Sequence, residues 1–195
     1  MCENPRIPGV GASPDDEGAP MTTRTRRERI TGRWLLMACP LLLLACDGIG
    51  GTPDLYINEF MADNQDYLVL DDDTSPDWIE IYNAGDAEVS LADIYISDVL
   101  AAPTMWGLAL EGSIDAGGFL LLYADNETAA GHLPFKLDKG GEEMGLFQFD
   151  GSDEATTIDA ISYPSQPQNQ SSARTPDGDA EWVITGSPTP GESNG

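Results

Sequence analysis

The alternation of apolar and polar residues is clearest in the run Asp77-Trp78-Ile79-Glu80-Ile81-Tyr82-Asn83, which predicts a β-strand. Successive side chains of an extended chain point to opposite faces, so Ile79 and Ile81 share one face and their neighbours share the other. β-Branched and aromatic residues suit a strand, and the turn residues after Asn83 end it. We therefore predict that Ile79 and Ile81 are structural residues of a buried core.

Similar short apolar runs recur along the chain at even spacing, and together they predict roughly eight to ten strands. The runs occupy residues 55–61, 67–70, 89–91, 94–96, 105–110, 119–124, 144–149, 158–163 and 182–184. No segment carries the period of a convincing amphipathic helix. Short strands separated by turn residues are typical of an all-β sandwich or barrel.

Four of these predictions go further and concern a bulge, a strand's position in its sheet and the pairing of strands. Ile57 and Phe60 are an odd number of residues apart, so a bulge near Asn58 and Glu59 is needed for both to face one core. Residues 119–124 are apolar on both faces, which favours a central position in a sheet. Residues 67–70 lie within a polar connection and are predicted to form a short edge strand. Residues 144–149 and 158–163 are predicted to pair as a hairpin with a long loop.

The N-terminal residues have a different composition. Residues 1–20 show no period and are predicted to be disordered, or to precede a true start at Met21. Residues 21–45 pass from a basic segment through an apolar run to a small residue, which is the order of a secretory signal peptide. The apolar run is too short to predict a membrane span. Residues 46–54 then form a tether, and residues 55–194 form the domain.

The apolar run ends in Leu43-Leu44-Ala45-Cys46, which resembles the lipobox of bacterial lipoproteins. In that family the cysteine becomes the first mature residue and is acylated on its sulfur. The resemblance implies lipidation of Cys46 and an exported protein anchored in a membrane of the bacterial cell envelope, on its periplasmic or surface side. The alternative is a plain signal peptide with an incidental cysteine. No cysteine follows Cys46, so the exported domain must be stabilised by its core without disulfides.

The formal net charge of −25 is concentrated in the predicted domain. Five of the 34 acidic residues precede Cys46, which leaves 29 acids against the three bases Lys136, Lys139 and Arg174. Such a surface repels phosphate backbones, so we do not expect nucleic acid as a partner.

Catalytic residue types are scarce. His132 is the only histidine and lies in a Gly- and Pro-containing loop, which favours a structural or solvated role. Because no cysteine follows Cys46, a His/Cys zinc site is excluded by count in the domain. We therefore predict no catalytic residue, no resident cofactor and a protein that is not an enzyme. The alternative is a secreted hydrolase that uses carboxylates and calcium.

Calcium has one candidate site in the sequence. Asp71, Asp73 and Asp77, together with Ser75, lie at alternate positions of an acidic loop that leads into the strand predicted at 77–83, and such positions can supply several oxygen ligands from one side. The loop does not match an EF-hand. The alternative is a solvated acidic loop without a metal.

Three further side chains, one arginine and two aromatic residues, are candidate site residues. Arg174 is the only arginine of the domain, and its donors could tie the C-terminal segment to carboxylates or carbonyls of the sandwich; ligand binding is the alternative. Trp78 and Tyr82 face away from Ile79 and Ile81. They could form an exposed platform for a sugar or peptide, or be covered by a second sheet or a loop.

The segments 55–62 and 77–83 together resemble the opening of a lamin tail domain. The resemblance extends to Ala116-Gly117-Gly118-Phe119-Leu120-Leu121-Leu122 and to the closing run Ser172-Ala173-Arg174-Thr175-Pro176-Asp177-Gly178, followed by Trp182, residues 188–191 and Asn194. It departs at residues 91–94, where the family usually has glycine and then an aromatic residue. The resemblance implies an immunoglobulin-like β-sandwich that acts as a non-catalytic module. We therefore expect a binding or structural module of the cell envelope, with an unknown envelope protein or glycan as its partner.

Overall fold

Nearly all regular structure is β-strand within residues 51–195, the part of the chain that the computed structural model describes. The strands are β1 (Leu55–Met61), β2 (Asp77–Asn83), β3 (Val89–Ser90), β4 (Ile94–Ser97), β5 (Trp106–Gly107), β6 (Ser113–Ile114), β7 (Phe119–Ala124), β8 (His132–Leu133), β9 (Glu143–Gln148), β10 (Thr156–Ser162), β11 (Ser171–Arg174) and β12 (Trp182–Thr185). One 3₁₀ turn, Ala109–Glu111, lies between β5 and β6.

The strands form two main sheets and a small one. The six-stranded sheet has the order β12-β11-β1-β2-β7-β8, the four-stranded sheet has the order β10-β9-β4-β5, and β3 pairs with β6. All pairings are antiparallel except that of β7 with β8. The inner faces of the two main sheets contribute most of one continuous apolar core. The fold is therefore an immunoglobulin-like β-sandwich, in agreement with the all-β prediction.

Strand β2 occupies the middle of the six-stranded sheet, between β1 and β7. Ile79 and Ile81 point inward and have no exposed surface. The register of β1 against β2 shifts between Ile57 and Glu59, which confirms the predicted bulge. Because of this extra residue, both Ile57 and Phe60 reach the core.

One of the predictions about strands agrees with the sheet order, and another is wrong. Strand β7 lies between β2 and β8, as its two apolar faces predict, although β8 has only two residues and pairs only with Tyr123 and Ala124. Residues 67–70 do not form a strand. The side chain of Asn64 hydrogen-bonds backbone groups of this segment that a strand would pair with a neighbour. It accepts from the N–H groups of Tyr67 and Leu68 at 3.1 and 3.2 Å and donates to the Leu68 carbonyl at 2.8 Å.

The predicted hairpin is confirmed, since β9 and β10 are antiparallel partners with a register shift between Thr157 and Asp159. Within residues 51–195 no helix is long and apolar enough to cross a bilayer. The predictions for the segment 1–20, the signal peptide 21–45 and Cys46 lie outside the described residues.

Candidate functional site

Two glutamates lie side by side on the outer face of the six-stranded sheet, the face turned away from the core. Glu59 in β1 is the register partner of Glu80 in β2. The bulge brings Asn58 to the same face, where its side-chain amide donates a hydrogen bond of 3.1 Å to Oε1 of Glu80. All three side chains have no exposed surface. Buried carboxylates are costly without partners, so the rest of the chain must supply donors here.

Residues 188–194, the C-terminal cover, supply several of those donors. The backbone N–H of Thr189 donates to both oxygens of Glu59, at 3.3 and 3.1 Å. The backbone N–H of Gly191 donates to Oε2 of Glu80 at 2.6 Å. The Ser171 hydroxyl adds a hydrogen bond to Glu59 from the adjacent strand β11. The two carboxylates thus fasten the C-terminal cover onto the sheet.

Asn58 links these carboxylates to the turn that follows β11. Its Nδ2 also donates to Oδ1 of Asp177 at 2.9 Å, and its Oδ1 accepts from the backbone N–H of Gly178 at 3.0 Å. Gly178 has a φ of 72°, and a side chain there would lie 3.3 Å from the ring of Tyr56. Only glycine combines this backbone conformation with so close an approach. The Asn194 backbone N–H completes the link by donating to Oδ1 of Asp177 at 3.0 Å.

Burial raises the pKa of Glu80 from 4.5 to about 7. The donors from Asn58 and Gly191 oppose this shift, while the charge of Glu59 adds to it. Burial also raises the pKa of Glu59, against the hydrogen bonds from Ser171 and Thr189. The protonated form of Glu80 is therefore favoured in the folded protein relative to the unfolded chain.

This shift predicts that the protein is more stable at pH 5 than at pH 8. A folded-state pKa above the unfolded value gives stability that is fully present below pH 4.5 and is lost as the pH rises through 7. At 1.36 kcal/mol per pKa unit, the loss between pH 5 and pH 8 is about 2–3 kcal/mol. Urea unfolding at several pH values measures it.

The variant Glu80→Gln should make this pH dependence shallower, because glutamine does not titrate. Glu192→Gln is the matched control, since it removes the same charge from an exposed position of the C-terminal cover. Equal slopes for Glu80→Gln and the wild type would show that Glu80 does not titrate in this range.

Arg174 joins the two main sheets at one open side of the sandwich. From β11, its Nη2 lies 3.2 and 3.0 Å from the carboxylate oxygens of Asp159 in β10. Its Nε donates to the Ile57 carbonyl at 2.8 Å, and its Nη1 donates to the Asp179 carbonyl. Arg174 is 6% exposed, so its charged group contacts other groups of the protein and has little contact with solvent. The guanidinium also lies over the ring of Trp182, 4.6 Å from its centroid.

The aromatic candidates of β2 are covered. Trp78 has no exposed surface, so an exposed platform built on it is wrong, and its Nε1 has no partner among the described residues. Tyr82 is half-buried and stacks on Phe119 at 5.0 Å between ring centroids.

His132 lies in β8 with its Nδ1 2.7 Å from Oδ2 of Asp125, which makes it part of a local polar pair.

The structure separates the aspartates proposed for calcium. Asp71 and Asp73 lie in an exposed turn, where Asp73 has a φ of 64°. Asp77 begins β2, and its Oδ1 accepts from the backbone N–H of Asn64 at 3.0 Å. Among residues 51–195 no group of three or more Asp, Glu, His or Cys side chains is arranged to hold a metal ion. Calcium binding by Asp71, Asp73 and Asp77 stays a prediction.

Two of the cavities on the described surface lie beside residues named above. A polar cleft of about 520 Å³ includes Asp77, whose pKa is raised to about 6 mainly by burial. It is lined by Ala62, Asp63, Asn64, Gln65, Ser75, Pro76, Asp77, Ala124, Asp125, Lys136, Leu137, Asp138 and Lys139. An apolar cavity of about 240 Å³, the edge groove, lies at the side closed by Arg174. It is lined by Phe60, Ile161, Ser162, Tyr163, Pro164, Gln166, Ser172, Trp182 and Ile184. Glu59 and Glu80 line neither cavity.

The comparison with protein families agrees with this architecture. The family model of the Lamin Tail Domain matches residues 50–165. The chain belongs to the lamin tail domain family. No curated protein and no solved structure matches it at a significant level. The match ends before residues 172–194, and the pairing of β11 with β1 joins this closing run to the lamin tail domain.

The network of Asn58, Glu59 and Glu80 in this lamin tail domain was not singled out from the sequence. Glu80 stands between two core isoleucines, so the alternation places it on the outer face of the sheet, where an acid is ordinarily exposed, and nothing in the pattern signals its burial. The immunoglobulin-like fold is compatible with a non-catalytic module. The buried carboxylates here hold the C-terminal cover on the six-stranded sheet.

Proposed function

We propose that the chain is an exported, lipid-anchored lamin tail domain that acts as a non-catalytic binding or structural module of the bacterial cell envelope. One observation carries the non-catalytic part. The deeply buried charged groups Glu59, Glu80 and Arg174 are all bonded within the protein. A catalytic group must touch its substrate, and these side chains are closed off from solvent.

The hydrolase alternative has less support from the same residues. A glycosidase needs two carboxylates that flank a bound substrate. The adjacent pair Glu59 and Glu80 lies beneath the C-terminal cover instead of lining an open cavity. The polar cleft is lined by four carboxylates, those of Asp63, Asp77, Asp125 and Asp138. Each of them already accepts a hydrogen bond from a neighbouring group of the protein, which does not favour a catalytic pair.

Export and anchoring are supported by the sequence. A basic segment, an apolar run and the lipobox-like Leu43-Leu44-Ala45-Cys46 follow one another in the order that a lipoprotein precursor requires. Acyl chains on Cys46 would hold the module at the membrane, since each buried CH₂ contributes about 0.8 kcal/mol. The partner that we propose is an envelope protein or a glycan, and the strongly acidic domain does not favour nucleic acid.

The lipid anchor predicts that Cys46→Ser is not acylated. Cells that express the full chain are fed an alkynyl palmitate, and the purified protein is tested for the label. We expect the wild type to be labelled and Cys46→Ser to lose the label, because serine lacks the sulfur that carries the lipid. Cys39→Ser is the matched control and should keep the label, since Cys39 lies within the apolar run. A label that persists in Cys46→Ser would overturn the proposed anchor.

A further inference from the structure

The sandwich has one side where both main sheets end. Strand β12 is the last strand of the six-stranded sheet, and β10 is the last strand of the four-stranded sheet. Arg174 and Asp159 bridge this side, and the edge groove lies beside them. β12 therefore combines a sheet edge with a cavity into which its own side chains point.

Two residues of β12 have backbone N–H and C=O groups without a partner among residues 51–195. The Glu181 carbonyl accepts from the N–H of Thr175, so odd-numbered residues of this segment direct their backbone groups toward β11. Successive residues alternate, so Trp182 and Ile184 direct their N–H and C=O groups outward. β12 is also the outermost strand of its sheet. These groups are positioned to pair with one added strand.

The edge groove can accept one side chain of such a strand. Its volume of about 240 Å³ lies below the roughly 300–1,000 Å³ of small-molecule pockets, so it suits a single apolar or aromatic residue. Phe60 forms part of its wall, with ring centroids 4.5 Å from Tyr163 and 5.6 Å from Trp182. The Trp182 ring also packs against the guanidinium of Arg174. The wall is therefore rigid, which lowers the entropy cost of binding.

Two polar side chains of the edge groove, those of Ser172 and Gln166, already have hydrogen-bond partners within it. The Ser172 hydroxyl donates to Oε1 of Gln166 at 2.7 Å, and Nε2 of Gln166 donates to the Pro164 carbonyl at 2.8 Å. An apolar side chain can therefore enter without leaving these groups unpaired. The strand itself carries no charge and no proline, and Val183 and Ile184 are 48% and 46% exposed. Edges that avoid pairing usually carry lysine or proline.

We propose that β12 binds an extended segment of a partner protein, which adds to the sheet as an edge strand, places one apolar or aromatic residue in the edge groove and carries flanking basic residues. This inference rests on the proposed function as a binding module and names its site. The basic flanks follow from charge, because the domain has 29 acids against three bases and Arg174 is buried. Asp179 and Glu181 are exposed just before the strand. A second copy of this chain is disfavoured as the occupant because like charges repel.

The test uses a fluorescent peptide of sequence KTVFVTK with blocked ends and the purified full chain in mild detergent. Fluorescence anisotropy should show saturable binding, and the peptide with alanine in place of its central phenylalanine should bind about tenfold more weakly. Ile184→Lys should weaken binding by a similar factor, because its side chain faces the edge groove. Val183→Lys is the matched control, since it puts the same charge on the opposite face of the same strand, and it should change binding far less.

Three results would overturn the proposal. The first is a peptide that does not bind wild-type protein whose thermal unfolding is normal. The second is equal weakening by Ile184→Lys and Val183→Lys, which would reflect charge alone. The third is a wild-type dimer that Ile184→Lys converts to a monomer, which would make a second copy the occupant of β12. None of these results alters the acylation test of Cys46, so a failure here leaves the proposed anchoring to be judged separately.

Discussion

Replacing Arg174 with alanine is expected to lower the free energy of unfolding by about 3–5 kcal/mol, the cost of removing one partner of a buried ion pair. The change leaves the largely buried carboxylate of Asp159 without its cation. It also removes the donors to the carbonyls of Ile57 and Asp179. The two main sheets lose their polar bridge at the side where both end. Urea unfolding followed by tryptophan fluorescence measures the loss, and the melting temperature should fall by roughly 6–20 °C.

Lys139→Ala is the control for Arg174→Ala, because it also removes one cation that contacts an aspartate. The Lys139 ammonium lies 3.5 Å from Asp63, but the side chain is 66% exposed. Exposed ion pairs contribute about 0–1 kcal/mol, so this variant should unfold almost as the wild type does. If both variants lowered the free energy of unfolding by the same small amount, Arg174 would contribute only as a surface charge does. The bridge between the two sheets would then not stabilise the fold.

Replacing Ile81 with alanine should cost about 2–5 kcal/mol, from the lost burial and the cavity left behind. Ile81 has no exposed surface and lies in the middle of β2, between β1 and β7. The surrounding strands are fixed by their pairing, so the site has little freedom to collapse onto the smaller residue. Urea unfolding again measures the change.

Val69→Ala provides the comparison for the core variant. Val69 is 50% exposed in the loop held by Asn64, and its truncation should change stability by no more than about 0.5 kcal/mol. A core variant as stable as this surface variant would contradict the position of β2 at the centre of the sandwich.

The sequence predicted the parts of the fold that depend on neighbouring residues. The alternation around Ile79 and Ile81 identified β2, and the odd spacing of Ile57 and Phe60 identified the bulge. It was incomplete for residues 119–124. Apolar residues on both faces indicated an interior strand, and β7 does lie between β2 and β8, but its outer face is only half-buried by contacts such as that of Phe119 with Tyr82.

The buried carboxylates could not be predicted in the same way. The pattern around Glu80 correctly places it opposite the core, where an acid is expected to meet water. Its burial depends on Gly191, which lies 111 residues further along the chain. A periodic pattern describes which face a side chain takes and contains no information on which distant segment covers that face. For the same reason, the edge groove appeared only when β12 was placed beside β10.

The hydrogen bonds between Glu59 and the C-terminal cover affect when the domain can fold during its synthesis. Thr189 and Glu59 are 130 residues apart, and β1 pairs with β11 as well as with β2. Contacts over such distances make folding slow, because the loop between them must close before the contacts form. Among the strands of residues 51–195, β1 is therefore synthesised first but is among the last to be completed. For a chain proposed to cross a membrane before it folds, this delay keeps the polypeptide open for translocation until its C-terminal residues emerge.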